Sequence, residues 1–323
     1  EKAENCIKKA LELAPDLAEA HRALGRFYSD MQQFRKAAEE LGRAIELKPN
    51  YADAYYSLGA ARFEEGKYAE ALRAFQKVQE LSPTFLGAFL TAAETAWVLQ
   101  NYELTENYLT RSNELVLGHV KAFDIAGWLH IRQGKSDLAR QDFKMAAGRC
   151  EIPRWAEEIS LGSILLSDYD TPIQLLQRVG NSPYGTNLYL LGLAYQLKGM
   201  QKEARLTWET GAVFIENQLA RVHSPLTPLM LFSLALIKGA LGLFDLAFEL
   251  SRQGETVELA KSEDKAWLKV AQSILYAQQG KAAEAVEALK NSRSKYYTAA
   301  EAALDPRLKI IANSPEFKAY LVS

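Results

Sequence analysis

Residues 55–83, YYSLGAARFEEGKYAEALRAFQKVQELSP, hold no nucleophile in a catalytic setting, no metal-ligand cluster and no phosphate loop, yet they decide the fold. Apolar residues recur at three- and four-residue steps over residues 52–65 and again over Tyr68–Leu81. That is the period of two amphipathic helices. Gly66 and Lys67 break the pattern between them, and Pro83 stops the second run. The stretch reads as a helix, a tight turn and a second helix.

The stretch has copies. Aligning ALG at 23–25, SLG at 57–59, TAA at 91–93 and IAG at 125–127 gives three successive steps of 34 residues. Each copy runs large, two residues, apolar, small, two residues, large, then Ala, three residues, large, often followed by Pro. One set is Tyr55, Leu58, Gly59, Ala71, Phe75 and Pro83; others are His21, Leu24, Gly25, Tyr28, Ala37, Leu41 and Pro49, and Phe123, Ala126, Gly127, His130, Ala139 and Phe143. A glycine inside a helix costs roughly 1 kcal/mol relative to Ala. Gly25, Gly59 and Gly127 are therefore expected where a neighbouring helix leaves no room for a side chain. One helix pair cannot bury its own apolar stripe, so stacking must supply the core.

This 34-residue pattern resembles the tetratricopeptide repeat. The resemblance implies an all-α, right-handed α-solenoid, here of about eight helix pairs, with the first helix of each pair lining a concave side where ligands are held. Carried over by position, that lining is Arg22, Arg26, Tyr56, Phe63, Leu90, Trp97, Asp124, Trp128 and Ile131. Trp97 and Trp128 have the large, low-entropy surface typical of binding hot spots. The version of the family that clamps a C-terminal carboxylate uses lysines and asparagines from three adjacent units. Here those positions hold Arg22 and Arg26, then Ser57, then Gly87 and Thr91. Only a basic pair remains, which disfavours that ligand and leaves capture of an extended or helical peptide by apolar and aromatic contacts.

Beyond residue 150 the register loosens, with further units around Gly162, Gly192 and Ala235 at steps of 35, 30 and 43, and a weaker one near Tyr276 and Gly280. The short step implies a truncated second helix over residues 172–179, and the long one an insertion near 222–228. The expected organisation is regular units over 1–150, degenerate units over 151–295 and a C-terminal capping segment over 296–323, with a hinge near 151–153 as one arrangement. The closing segment weakly resembles the tails of tetratricopeptide regions in bacterial signalling proteins. Pro15 falls where a repeat ends, so the sequence reads as starting within a repeat and as a piece of a longer regulatory protein.

In the second half the lining positions are Ile159, Leu166, Tyr189, Leu193, Phe232, Leu236, Val270 and Ile274. That is too apolar for an open, empty surface. Either this half buries its own inner face or it docks on a partner or a second copy of itself, as a homo-oligomer.

The chain has 323 residues, 48% of them hydrophobic and 24% charged, with a net charge of −2. Interspersed acids and bases give no footprint for nucleic acid or for a membrane surface. No run of about 18 apolar residues occurs, and the two distant cysteines, Cys6 and Cys150, read as small buried apolar residues in a reducing, cytoplasmic setting. GKS at 134–136 fails the phosphate-loop motif, because Leu129 stands where that loop needs a glycine. His21, His119, His130 and His223 gather no ligand set, so neither a metal nor another cofactor is expected. His130, in the slot of Tyr28 and Tyr195, is expected to pack; the others should face solvent or cap helices. Glu64 and Glu65, like Arg35 and Lys36, read as solvated helix faces. Together these readings point to a non-enzymatic scaffold for a protein or peptide partner. The alternatives are a region that presents substrates to an attached kinase, cyclase or glycosyltransferase, or a self-assembly module.

Overall fold

The structure is a computed structural model that describes residues 2–221, 227–257, 262–292 and 294–322. Its described residues form helices arranged in consecutive pairs, an α-solenoid. After α1 (Lys2–Leu13) come α2 (Ala18–Asp30) with α3 (Phe34–Leu47), α4 (Ala52–Glu64) with α5 (Tyr68–Leu81), and α6 (Leu86–Val98) with α7 (Tyr102–Leu115). Next are α8 (Val120–Arg132) with α9 (Ser136–Arg149), α10 (Pro153–Leu165) with α11 (Asp170–Val179), and α12 (Thr186–Leu197) with α13 (Gln201–Leu219). The series ends in α14 (Thr227–Ala240) with α15 (Phe244–Glu255), α16 (Ser262–Gln278) with α17 (Ala282–Ser292), then α18 (Ala299–Leu304), a 3-10 helix (Pro306–Ile311) and α19 (Pro315–Leu321). Eight pairs thus stand among the described residues, and the short second helix expected after Gly162 is the ten-residue α11. The insertion expected near 222–228 lies outside the described residues over 222–226, as does His223.

Each pair closes the same way. In the turn of the second pair Gly66 has φ +81°, with the Gly66 N–H bonded to Phe63 O and the Lys67 N–H to Arg62 O, the double bond of a Schellman cap. Gly134 of the GKS stretch, at φ +71°, occupies the same turn one pair after Gln100, so its role is structural. Gln32, Gln100 and Ser167 adopt this left-handed conformation without being glycine.

Where the small residue inside a first helix is a glycine, it meets a large side chain on a neighbouring second helix. A Cβ on Gly59 would come within 2.5 Å of the Phe75 ring. The Phe143 ring serves two helices at once, since a Cβ would approach it to 2.7 Å from Gly127 and to 2.3 Å from Gly162 of the next pair. The core is therefore strung along the chain at these close approaches, as stacking requires.

Two compact units divide the chain, residues 1–125 and 126–323, at a point inside α8 and ahead of the loosened register at residue 150. Cys150 is buried, but Cys6 is exposed, against the expectation for both. The reason is that α1 packs on α2 through the side bearing Ile7, Ala10 and Leu11, which leaves Cys6 outside. Among the described residues, no helix is long and apolar enough to cross a membrane.

Candidate partner-binding surface

In the first unit α2 stands against α4. Arg26 on α2 is exposed. Arg22, one turn earlier, is half-buried and tied to the next pair: its guanidinium lies 5.6 Å from the Tyr51 ring centre, Nη1 donates to the Tyr51 hydroxyl at 3.5 Å, and Nη2 is 3.9 Å from Asp53. On α4, Tyr56 and Phe63 are half-buried. The Tyr56 ring packs on Phe75 and Phe85, with centres 5.8 and 4.8 Å away, and burial pushes its hydroxyl above the usual tyrosine range. Phe63 meets Tyr68 edge-on at 5.3 Å.

Leu90 and Trp97 on α6 go deeper, Trp97 with 4% of its surface exposed. Asp124 is also buried, and Lys121 Nζ donates to it at 3.1 Å while standing 3.7 Å from Glu94. Of the expected lining residues in this unit, the structure places Arg22, Arg26, Tyr56 and Phe63 at the surface and draws Leu90, Trp97 and Asp124 into the packing. In the second unit Trp128 is half-buried and meets Phe143 edge-on at 5.5 Å, while Ile131 is buried.

The apolar first-helix face of the second unit is covered by the chain itself. Helices α10, α12, α14 and α16 pack successively, and Tyr189, Leu193, Phe232, Leu236, Val270 and Ile274 are all buried. The 3-10 helix packs on α16. Around it lies a set of charged side chains that the sequence reading passed over. Arg132 at the end of α8 donates from Nε to Glu301 at 2.9 Å and from Nη2 to the Lys295 carbonyl at 2.6 Å. The other Glu301 oxygen accepts from the Thr298 N–H and hydroxyl, closing a capping box on α18. Asp305 accepts from Arg307 and, at 2.5 Å, from the Tyr297 hydroxyl, and Arg307 lies over the Tyr189 ring. Burial, followed by the Asp305 carboxylate, raises the Tyr297 hydroxyl well above the ordinary range, so it stays a donor. Tyr297 also meets Trp267 of α16 edge-on.

Other polar groups are local. His130 lies 2.6 Å from Asp142, and His119 accepts the Lys121 N–H at 3.2 Å as a cap. Glu157 of α10 accepts the Asn187 N–H in the first turn of α12 at 3.2 Å, and burial pushes its carboxyl up to about 7. No group of three or more His, Cys, Asp or Glu among the described residues could hold a metal ion.

Residues 25–64 match the family profile described as TPR repeat, and residues 52–85 the one described as tetratricopeptide repeat. No curated protein sequence matches the chain. Among solved structures it is similar to a chain of the APC/C hetero-tetramer Cut9–Hcn1, at 18% identity and a TM-score of 0.50, over 82% of this chain and about half, 51%, of that one. It is also similar to a tetratricopeptide repeat protein from Parabacteroides merdae, at 17% identity and a TM-score of 0.48, over 79% and 98% of the two chains. A third is YrrB, titled a TPR protein with an unusual peptide-binding site, at 18% identity and a TM-score of 0.41, over 67% and 96%. The first shows the shared fold, to which the repeated close approaches and left-handed turns add the unit's own geometry. Residues 25–85 are thus tetratricopeptide repeats, a module of protein–protein interaction, within an α-solenoid of helix pairs.

Proposed function

We propose that the first unit is a non-catalytic scaffold that holds an extended or helical peptide segment of a partner protein across α2, α4 and α6, as part of a regulatory protein. The observation that carries this reading is that α2 and α4 are in contact and that Arg26 is exposed on α2 while Tyr56 and Phe63 are only half-buried on α4. Partly open aromatic rings and an arginine are the side chains that dominate binding energy at interfaces. Arg26 favours a ligand with an acidic position, and the two rings favour apolar or aromatic neighbours along it. Leu90, Trp97 and Asp124 lie buried on α6 and α8, and Trp128 packs on Phe143 in the second unit.

Selection from a displayed peptide library against the intact chain tests this reading. Selected peptides should carry an acid near an aromatic or apolar pair, and Phe63→Ala or Arg26→Glu should weaken their binding by about 1–2 kcal/mol each. Peptides that bind both variants as tightly as the unaltered chain would place the site elsewhere.

A further inference from the structure

We propose that the first-helix face of the second unit is a separate ligand site, occupied in cis by the chain's own residues 294–311, and that it takes in exchange a peptide of another protein with the same anchors. Those anchors are an acid for Arg132 and, six residues further on, an arginine over Tyr189 that brings its own Asp-x-Arg carboxylate, as Glu301, Asp305 and Arg307 do.

Three observations support exchange. First, the covering segment consists of a six-residue α18 and a six-residue 3-10 helix, followed by a seven-residue α19 that packs on α17 and α18. Helices this short do not hold themselves together in water, so their order comes from the seat. Second, the seat is charged as well as apolar. Arg132 and Glu301 have 3% and 0% of their side-chain surface exposed, and Asp305 with Arg307 is equally enclosed. Buried ion pairs add little stability over well-packed apolar residues of similar volume, but a partner lacking the matching charge is strongly penalised. Such a seat selects its occupant. Third, Arg132 reads a main-chain carbonyl, that of Lys295, together with the Glu301 side chain, a combination that any peptide with a suitably placed acid reproduces. The segment also lies at the end of the helix series, so its departure leaves the pairs from α8 to α17 connected in order. Tethering gives it an effective concentration on the order of millimolar, which an incoming peptide must overcome. The cis segment thereby sets the threshold for binding.

Native-state hydrogen exchange on the intact chain, with a labelled synthetic peptide of residues 294–311 as the probe in trans, tests the proposal. Amides of α18 and the 3-10 helix should exchange at urea concentrations where α12 and α14 remain protected. Exchange of all four only together, on global unfolding, would make the segment plain core and overturn the proposal. The intact Glu301→Gln chain should bind the probe at least tenfold more tightly than the unaltered chain, and Arg132→Met added to it should remove that gain. Equal binding by the unaltered and Glu301→Gln chains would also overturn it, and if Glu301→Gln fails to fold, the exchange pattern of the unaltered chain decides.

Discussion

The Nε of Arg132 donates a 2.9 Å hydrogen bond to Glu301, 169 residues further along the chain. The contact joins the first helix pair of the second unit to the segment that follows the last pair, and neither side chain has appreciable contact with water. Removing one partner strands the other's charge. Arg132→Ala should therefore destabilise the second unit by about 3–5 kcal/mol. Arg132→Met with Glu301→Leu should recover most of that, leaving a deficit of about 1 kcal/mol from the lost cap on α18. Urea denaturation of the two single variants and the double variant measures the coupling.

Gly59 and Gly42 make opposite predictions for the same change. A Cβ at Gly59 would lie 2.5 Å from the buried Phe75 ring, whereas at Gly42, in mid-α3, nothing lies within 4 Å. Gly59→Ala should destabilise by about 1–3 kcal/mol despite the better helix propensity of alanine. Gly42→Ala should stabilise by about 0.5–1 kcal/mol. Thermal melts of the two variants give the signs directly.

Gln100 takes the left-handed turn conformation at φ +58° that Gly66 takes at +81° in the preceding pair. A side chain there costs roughly 1–2 kcal/mol, partly offset by the greater freedom of glycine in the unfolded chain. Gln100→Gly should raise stability by about 0.5–1 kcal/mol, and Gly66→Ala should lower it by a similar amount, both read from denaturation midpoints.

Glu157 gives the second unit a pH dependence. Its carboxyl is raised from 4.5 to about 7, chiefly by burial, so between those values the folded chain holds a proton that the unfolded chain has lost. Stability should fall as pH rises through that window and level off above it, by on the order of 3 kcal/mol in all. Glu157→Gln keeps an acceptor for the Asn187 N–H and should flatten the profile. Urea midpoints at pH 5, 6, 7 and 8 for both chains show whether it does.

The helix pairs were legible because their cause is local. The second pair begins and ends within a residue of the limits read from apolar period, Gly66 and Pro83, since the same residues that set the period also fill the groove between the helices. The close approach at Gly59 was legible for the same reason: a glycine inside a helix needs a neighbour to explain it. Side-chain depth was not. Trp97 occupies a lining position by its place in the repeat, yet its burial depends on what surrounds α6 in space. The charged seat was the least legible feature. Arg132, Asp305 and Arg307 look like ordinary surface charges in a chain with many of them. Only Thr298 and Glu301, spaced as a capping box, give a local sign. That sign marks the start of α18 and says nothing of Arg132.

The distance along the chain between Arg132 and Glu301 has a consequence for synthesis. At roughly 5–20 residues per second, a ribosome takes on the order of ten to thirty seconds to make what separates them. Through that interval α8, α10, α12 and α14 emerge in turn with Tyr189, Leu193, Phe232 and Leu236 uncovered on one side. The first unit can fold while that stretch is still being made, but the inner face of the second stays open until residues 294–311 have emerged. Its most exposed moment is therefore on the ribosome, where a chaperone that recognises apolar helix faces has a fixed period in which to act.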